Sequence, residues 1–167
     1  MMYMHHMRDE YDRPGPNSRD SLAQTIAPQA IVEVCFCHHV RKTARAITRI
    51  FDEALLPSGL KASQFNILAA VAARDLTSAN EISRLLAMDR TTLSRNLKPL
   101  RKAGYLTTHG GAGRRPDVLA LTVAGRTALT KATELWRQAQ SLLTERLGAG
   151  QAGQLLQMLE AGAKAAV

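Results

Sequence analysis

Two helix-start signals stand close together in the middle of the chain and constrain the fold more than any other feature. They lie in LTSANEISRLLAMDRTTLSRNLKPLRKAGYL, residues 76–106. Ser78 is followed by Glu81, the spacing of a capping box in which hydroxyl and carboxylate satisfy each other's backbone amides. Ile82, Leu85 and Leu86 then supply an apolar face. Asp89 is placed to cap the next helix, and Leu93, Leu97 and Leu100 recur at the spacing of one inward stripe. Ala87-Met88 leaves room only for a tight turn between the two. Gly104 ends the second helix, and Pro99 inside it removes one backbone donor, which predicts a slight bend. Two short helices, a tight turn and a shared leucine face make a helix-turn-helix.

The flanking sequence is mostly helical as well. The hydrophobic fraction is 46%, but only seven residues are aromatic (one Trp, three Tyr, three Phe), so Ala and Leu carry the apolar content and favour helices. A long helix is predicted from Ala30 to about Leu56, with Cys37, Val40, Ala44, Ile47, Phe51 and Ala54 as its stripe. Pro57-Ser58-Gly59 ends it. Ser63 is the predicted cap of a second helix, from Gln64 to about Arg74, apolar on most sides. Tyr105–Thr108 and Val118–Leu121 read as two short strands joined by a glycine-rich tip, His109–Pro116. Thr122 caps a long helix to about Leu147. A last helix runs from Gln151 to about Ala165 and carries Leu155, Leu156 and Leu159. The expected fold is mostly α, an α+β arrangement of six helices with a two-stranded β-hairpin. A length of 167 residues fits one domain. Residues 1–28 are rich in charge, proline and glycine and are expected to form a mobile arm. Residues 29–167 are expected to form the domain.

The charge is placed unevenly. The formal net charge is +8, and seven Lys or Arg residues lie between Arg90 and Arg115 with no Asp or Glu among them. A basic face of this size points first to nucleic acid. A helix-turn-helix sets the start of its second helix in the major groove. With the leucines inward, Arg90, Thr91, Thr92, Ser94, Arg95 and Lys98 fall on or near the outward side. Arg95 is the best base reader, because its fork can address guanine O6 and N7 together. Thr91, Thr92 and Ser94 suit phosphates or thymine methyls. Lys98, Arg101 and Lys102 suit phosphates, which position a protein without reading sequence. Arg114 and Arg115, at the hairpin tip, suit a narrow minor groove.

The order of these elements resembles the MarR family of winged-helix transcriptional regulators over about residues 30–165. MDRTTLSRNLKPLRKAGYL resembles the family's recognition helix and first wing strand. RRPDVLALTVAG resembles the second wing strand and the helix after it. The resemblance implies a homodimer formed by residues 29–60 and 122–167, a DNA-binding lobe over 61–121, and a near-palindromic operator. It also implies a repressor released by a small aromatic carboxylate or an oxidant. The family's wing usually carries Asp-x-Arg, with the Asp bracing a minor-groove Arg. Gly113, Arg114 and Arg115 stand at the matching positions here, so the Arg is kept and the brace is missing. By resemblance, effector-pocket candidates are Cys37, His38, Arg41, Arg45 and Phe65.

Both cysteines and two histidines lie in Cys35-Phe36-Cys37-His38-His39. In a continuous helix, residues two apart point about 200° away from each other, which separates Cys35 from Cys37. Cys35 with His38 or His39 supplies only two ligands, too few for a zinc site without a third. Cys37 matches the reactive position of hydroperoxide-sensing family members. Arg41 and Phe51 stand where those members carry tyrosines. Arg41, one turn away, would favour the thiolate. The alternatives for Cys37 are a redox sensor, a pocket residue, or plain packing in the apolar stripe.

No catalytic motif is present, and no cofactor or metal is expected. Nothing resembles a secretory signal, and a cytoplasmic protein with reduced thiols is the simplest reading. The competing reading of another class is a helical dimer whose basic wing binds an acidic protein.

Overall fold

The computed structural model describes residues 27–74, 77–110 and 118–166. The helices are α1 (Pro28–Val34), α2 (Phe36–Leu55), α3 (Ala62–Ala72), α4 (Ala79–Leu85), α5 (Arg90–Lys102), α6 (Val123–Leu147) and α7 (Ala149–Ala165). The strands are β1 (Thr77–Ser78), β2 (Leu106–His109) and β3 (Val118–Leu121). The chain divides into two compact units, residues 1–42 and 43–167. The expected arm lies outside the described residues up to residue 26. Ala27 is the cap position of α1, and Pro28 is its first residue.

In the first unit, the single long helix predicted from Ala30 is instead two helices. Cys35 adopts an extended backbone (φ −74°, ψ 110°), so α1 stops at Val34 and α2 restarts at Phe36. No glycine or proline marks this break. Side chains close it. The His38 amide donates to Cys35 Sγ at 3.4 Å, so the sulfur acts as a cap. The His39 ring, through Nε2, donates to the Glu33 carbonyl at 2.9 Å. The continuous-helix geometry expected for Cys35 and Cys37 therefore does not hold at Cys35. Cys37, expected in a buried stripe, is exposed, and Cys35 is half-buried. Periodicity reports an apolar face; it does not report what covers that face.

In the second unit the core is built from Leu55, Leu60, Phe65, Ile67, Leu68, Val71, Ile82, Leu93, Leu97, Leu100, Leu106, Leu119, Leu121 and Ala132. Helix α3 is apolar on most sides and buries Phe65, Ile67, Leu68, Ala70 and Val71. It starts earlier than predicted, and Ser63 is not its cap. The first free amides are met instead by Asp52 Oδ1, which accepts from the Ala62 amide at 2.7 Å, and by Gln64 Oε1, which accepts from the Lys61 amide at 3.0 Å.

The sheet has three strands in the order β1-β3-β2, all antiparallel. The predicted strands are β2 and β3. The addition is β1, which pairs Thr77 with Leu119 and Ser78 with Val118. Leu106, Leu119 and Leu121 point into the core. The tip, 111–117, lies outside the described residues.

Helix α6 begins at its predicted cap: Thr122 Oγ1 accepts from the Gly125 amide at 3.0 Å. Leu129, Ala132, Trp136 and Ala139 follow at spacings of three and four and form its inward face. Helix α7 starts at Ala149, immediately after Gly148, and contains no buried residue.

Candidate nucleic-acid interface

Each start signal in the central segment forms its cap. Glu81 Oε2 accepts from the Ser78 amide at 2.8 Å, and Ser78 Oγ accepts from the Glu81 amide at 3.3 Å. Asp89 Oδ1 accepts from the Thr92 amide at 2.8 Å, and its other oxygen accepts from the Thr92 hydroxyl at 2.6 Å. The turn between α4 and α5 is held across its mouth, where the Met88 amide donates to the Ser83 carbonyl at 2.9 Å and Ser83 Oγ donates to the Met88 carbonyl. Ala87 takes the left-handed conformation that this reversal needs (φ 48°).

The leucine face locks this unit to the body. Leu93, Leu97 and Leu100 are buried, as is Ile82. Leu85, predicted on the same inward face, is 51% exposed, and Leu86 is half-buried. Helix α4 is only seven residues long, and its end rotates away into the turn.

With that face inward, Arg90, Thr91, Thr92, Ser94, Arg95, Lys98, Arg101 and Lys102 are all exposed. Among the described residues the ion pairs are Arg137–Glu134 and Lys164–Glu160, so none of these cations is neutralised by a carboxylate there. Their field is left for an outside anion. The Thr92 hydroxyl donates into the cap, which leaves its methyl for a base contact and takes it out of the phosphate-binding set. Arg114 and Arg115 lie outside the described residues.

Both cap carboxylates are held below their ordinary values. For Glu81 the Ser78 amide is the main cause and the Ser78 hydroxyl the next. For Asp89 the Thr92 hydroxyl leads, followed by the Thr92 amide. A lowered folded-state value means that each cap contributes fully above the ordinary carboxylate range and is lost as the pH falls through that lowered value. Asp89→Asn keeps an acceptor but cannot titrate. Its melting temperature should therefore fall less between pH 5 and about pH 3 than that of the parent. Equal slopes in parallel thermal melts would show that Asp89 is not coupled to folding.

A cavity of about 210 Å³ is lined by Ile47, Thr48, Phe51, Leu55, Ala62, Phe65, Asn66 and Trp136. Phe65 and Trp136 stack in it, with ring centroids 6.1 Å apart and planes 20° from parallel. Of the predicted pocket residues in this unit, Phe65 lines the cavity, whereas Arg45 is exposed and does not. In the first unit Cys37 and Arg41 are exposed, and half-buried His38 meets His39 edge to face at 5.4 Å. Of the eight lining residues only Phe65 was a predicted pocket candidate, and Trp136, which stacks on it, is the most informative of the others. The inward spacing of Leu129, Ala132, Trp136 and Ala139, with the only tryptophan of the chain on it, was the available signal. Among the described residues no group of three or more His, Cys, Asp or Glu could hold a metal ion, and no helix is long and apolar enough to cross a membrane.

A capped helix-turn-helix that presents an exposed basic helix beside a three-stranded wing sheet defines a winged-helix protein. The MarR family model matches residues 58–115. MosR, a transcriptional regulator of M. tuberculosis, is 33% identical with a TM-score of 0.68, covering 80% of this chain and 98% of its own. A structure of MosR in complex with DNA matches at 34% identity and the same TM-score, over 79% and 98%. The HTH-type transcriptional regulator YwoH of Bacillus subtilis is 28% identical over 85 residues, and that alignment spans 51% of this chain and 62% of YwoH. The repressor CouR bound to p-coumaroyl-CoA shares the fold at 24% identity and a TM-score of 0.73, covering 83% and 98%. The chain belongs to the MarR family of transcriptional regulators.

Proposed function

We propose that the protein is a repressor that binds a near-palindromic DNA operator as a homodimer, and that an effector in the Phe65–Trp136 cavity releases it. The observation that carries this reading is the outward face of α5, whose exposed cations have no carboxylate partner among the described residues. The DNA complex of MosR supports duplex DNA as the anion. Dimerisation is supported by uncovered apolar side chains. On α7, Leu156, Met158 and Leu159 are exposed, and in the first unit Val34 and Phe36 are 74% and 89% exposed. Apolar surface of this kind marks interaction faces.

The cavity lining suits an aromatic effector, because a ring can stack against Phe65 and Trp136. None of its lining residues is charged, so a carboxylate has no cationic partner there, and Thr48, Asn66 and the Trp136 indole N–H are the polar side-chain groups available. An uncharged phenol therefore fits better than a benzoate. Trp136, the only tryptophan, reports on this directly. A phenol titration should quench its fluorescence and dissociate the DNA complex, with benzoate weaker in both. Tighter benzoate binding would overturn the assignment of effector class.

The DNA reading is tested by selecting bound duplexes from random sequence and measuring salt dependence. Lys98, Arg101 and Lys102 on each of two protomers would together neutralise about six phosphates, which predicts a log–log slope of about −5. A shallow slope with no selected sequence would favour the acidic-protein alternative. A hydroperoxide arm of the same assay addresses the thiol. Release that survives Cys37→Ser would remove the model in which Cys37 is the sensor.

A further inference from the structure

Asn96 sits on α5 between the proposed base reader Arg95 and buried Leu97, yet it is half-buried rather than exposed. Its side chain makes one hydrogen bond at each end within the protein. Ser63 Oγ donates to Asn96 Oδ1 at 2.8 Å, and Asn96 Nδ2 donates to the Thr92 carbonyl at 2.9 Å. These partners fix the amide orientation. A carbonyl can only accept, so Nδ2 must face Thr92, and Ser63 is then left to donate to Oδ1. Among the described residues, this is the one hydrogen bond between side chains of two different helices.

Each end of the Asn96 amide is tied to a partner within the protein, one on α3 and one on α5. We infer that Ser63 and Asn96 are positioning residues for sequence recognition, fixing the roll of α5 on α3 and so the aim of Arg95. Leu93, Leu97 and Leu100 hold α5 by packing, which is non-directional and tolerates small rotations about the helix axis. A hydrogen bond has narrow limits of distance and angle and does not. Long lysine side chains can follow a phosphate through such a rotation, whereas a bidentate guanidinium on a base edge cannot. The Ser63–Asn96 bond should therefore govern discrimination between sequences more than overall affinity.

This inference rests on the DNA-binding reading, and the experiment separates the two. Ser63→Ala, Ser63→Thr, Asn96→Ala and the Ser63→Ala/Asn96→Ala double variant are compared with the parent on the selected duplex and on a scrambled duplex. The ratio of the two affinities should fall about three- to tenfold in Ser63→Ala and Asn96→Ala. The double variant should be no worse than the poorer single variant, because both remove the same hydrogen bond. Scrambled-duplex affinity and salt slope should stay at parent values, and Ser63→Thr, which keeps the hydroxyl, should keep the ratio. An unchanged ratio in Ser63→Ala, or additive losses in the double variant, would overturn the positioning role while leaving DNA binding intact. A parent protein with no sequence preference would overturn both. Thermal melts of every variant identify unfolding, which would lower binding to both duplexes together.

Discussion

An Arg95→Ala protein is expected to lose most of its preference for its own operator. A bidentate arginine–guanine pair discriminates by about 1–3 kcal/mol, and a homodimer makes it once in each half-site. The loss should appear as a collapse of the ratio between selected and scrambled duplexes. Arg95 is exposed on the same outward face as Ser94 and Lys98, and among the described residues no carboxylate pairs with it, so its removal leaves the fold intact. Lys98→Ala is the informative contrast. An ammonium on a phosphate carries no sequence information, so that variant should weaken both duplexes alike. It should also flatten the salt slope by about 0.9 for each phosphate no longer neutralised. Quantitative binding at several salt concentrations separates the two patterns. If Arg95→Ala behaves as Lys98→Ala does, base reading lies elsewhere on α5 or in the wing.

The largest effect on stability is expected at Gly125. A Cβ built there would lie 2.1 Å from the Tyr105 carbonyl oxygen and 2.9 Å from its carbonyl carbon. The obstacle is backbone and has no rotamer to escape into. The same carbonyl accepts from the Thr122 amide at 3.1 Å, and Thr122 Oγ1 donates to the Gly104 carbonyl at 2.6 Å. The start of α6 is thus pressed onto the turn between α5 and β2, and only a missing side chain lets it lie that close. Overpacking a tight site costs typically about 1–3 kcal/mol, and Gly125→Ala should reach at least the top of that range. For a chain of this size, about 3 kcal/mol corresponds to a melting temperature lower by about 6–12 °C. A melting curve that matches the parent would show that α6 does not approach Tyr105 this closely.

The readable features were those whose cause lies within a few residues. Ser78 with Glu81, Asp89 before Thr92, Thr122 before Gly125 and the leucines of α5 are local patterns, and each formed as expected. What escaped was set at a distance. Strand β1 has only two residues and no periodicity, and it becomes a strand only because β3 passes beside it. Ser63 has the chemistry of a cap, but Asp52, ten residues before Ala62, already meets the first amide of α3, which leaves Ser63 for Asn96. The break at Cys35 carries no breaker residue and depends on a sulfur and an imidazole that happen to reach the freed groups. The cavity depends on Trp136 meeting Phe65 across seventy-one positions of sequence (136 − 65), a distance no local pattern spans.

Ser78 belongs to two elements at once. As a strand residue it pairs with Val118, and as a cap it holds the first turn of α4. Strand β3 is therefore bound along both edges, by β2 on one side and by the start of the reading head on the other. Among the described residues, β3 has no free edge. A displacement of β3 would pull on the residue that winds α4, so on the proposed DNA-binding reading, grip on one groove and grip on the next should be gained or released as a single mechanical event.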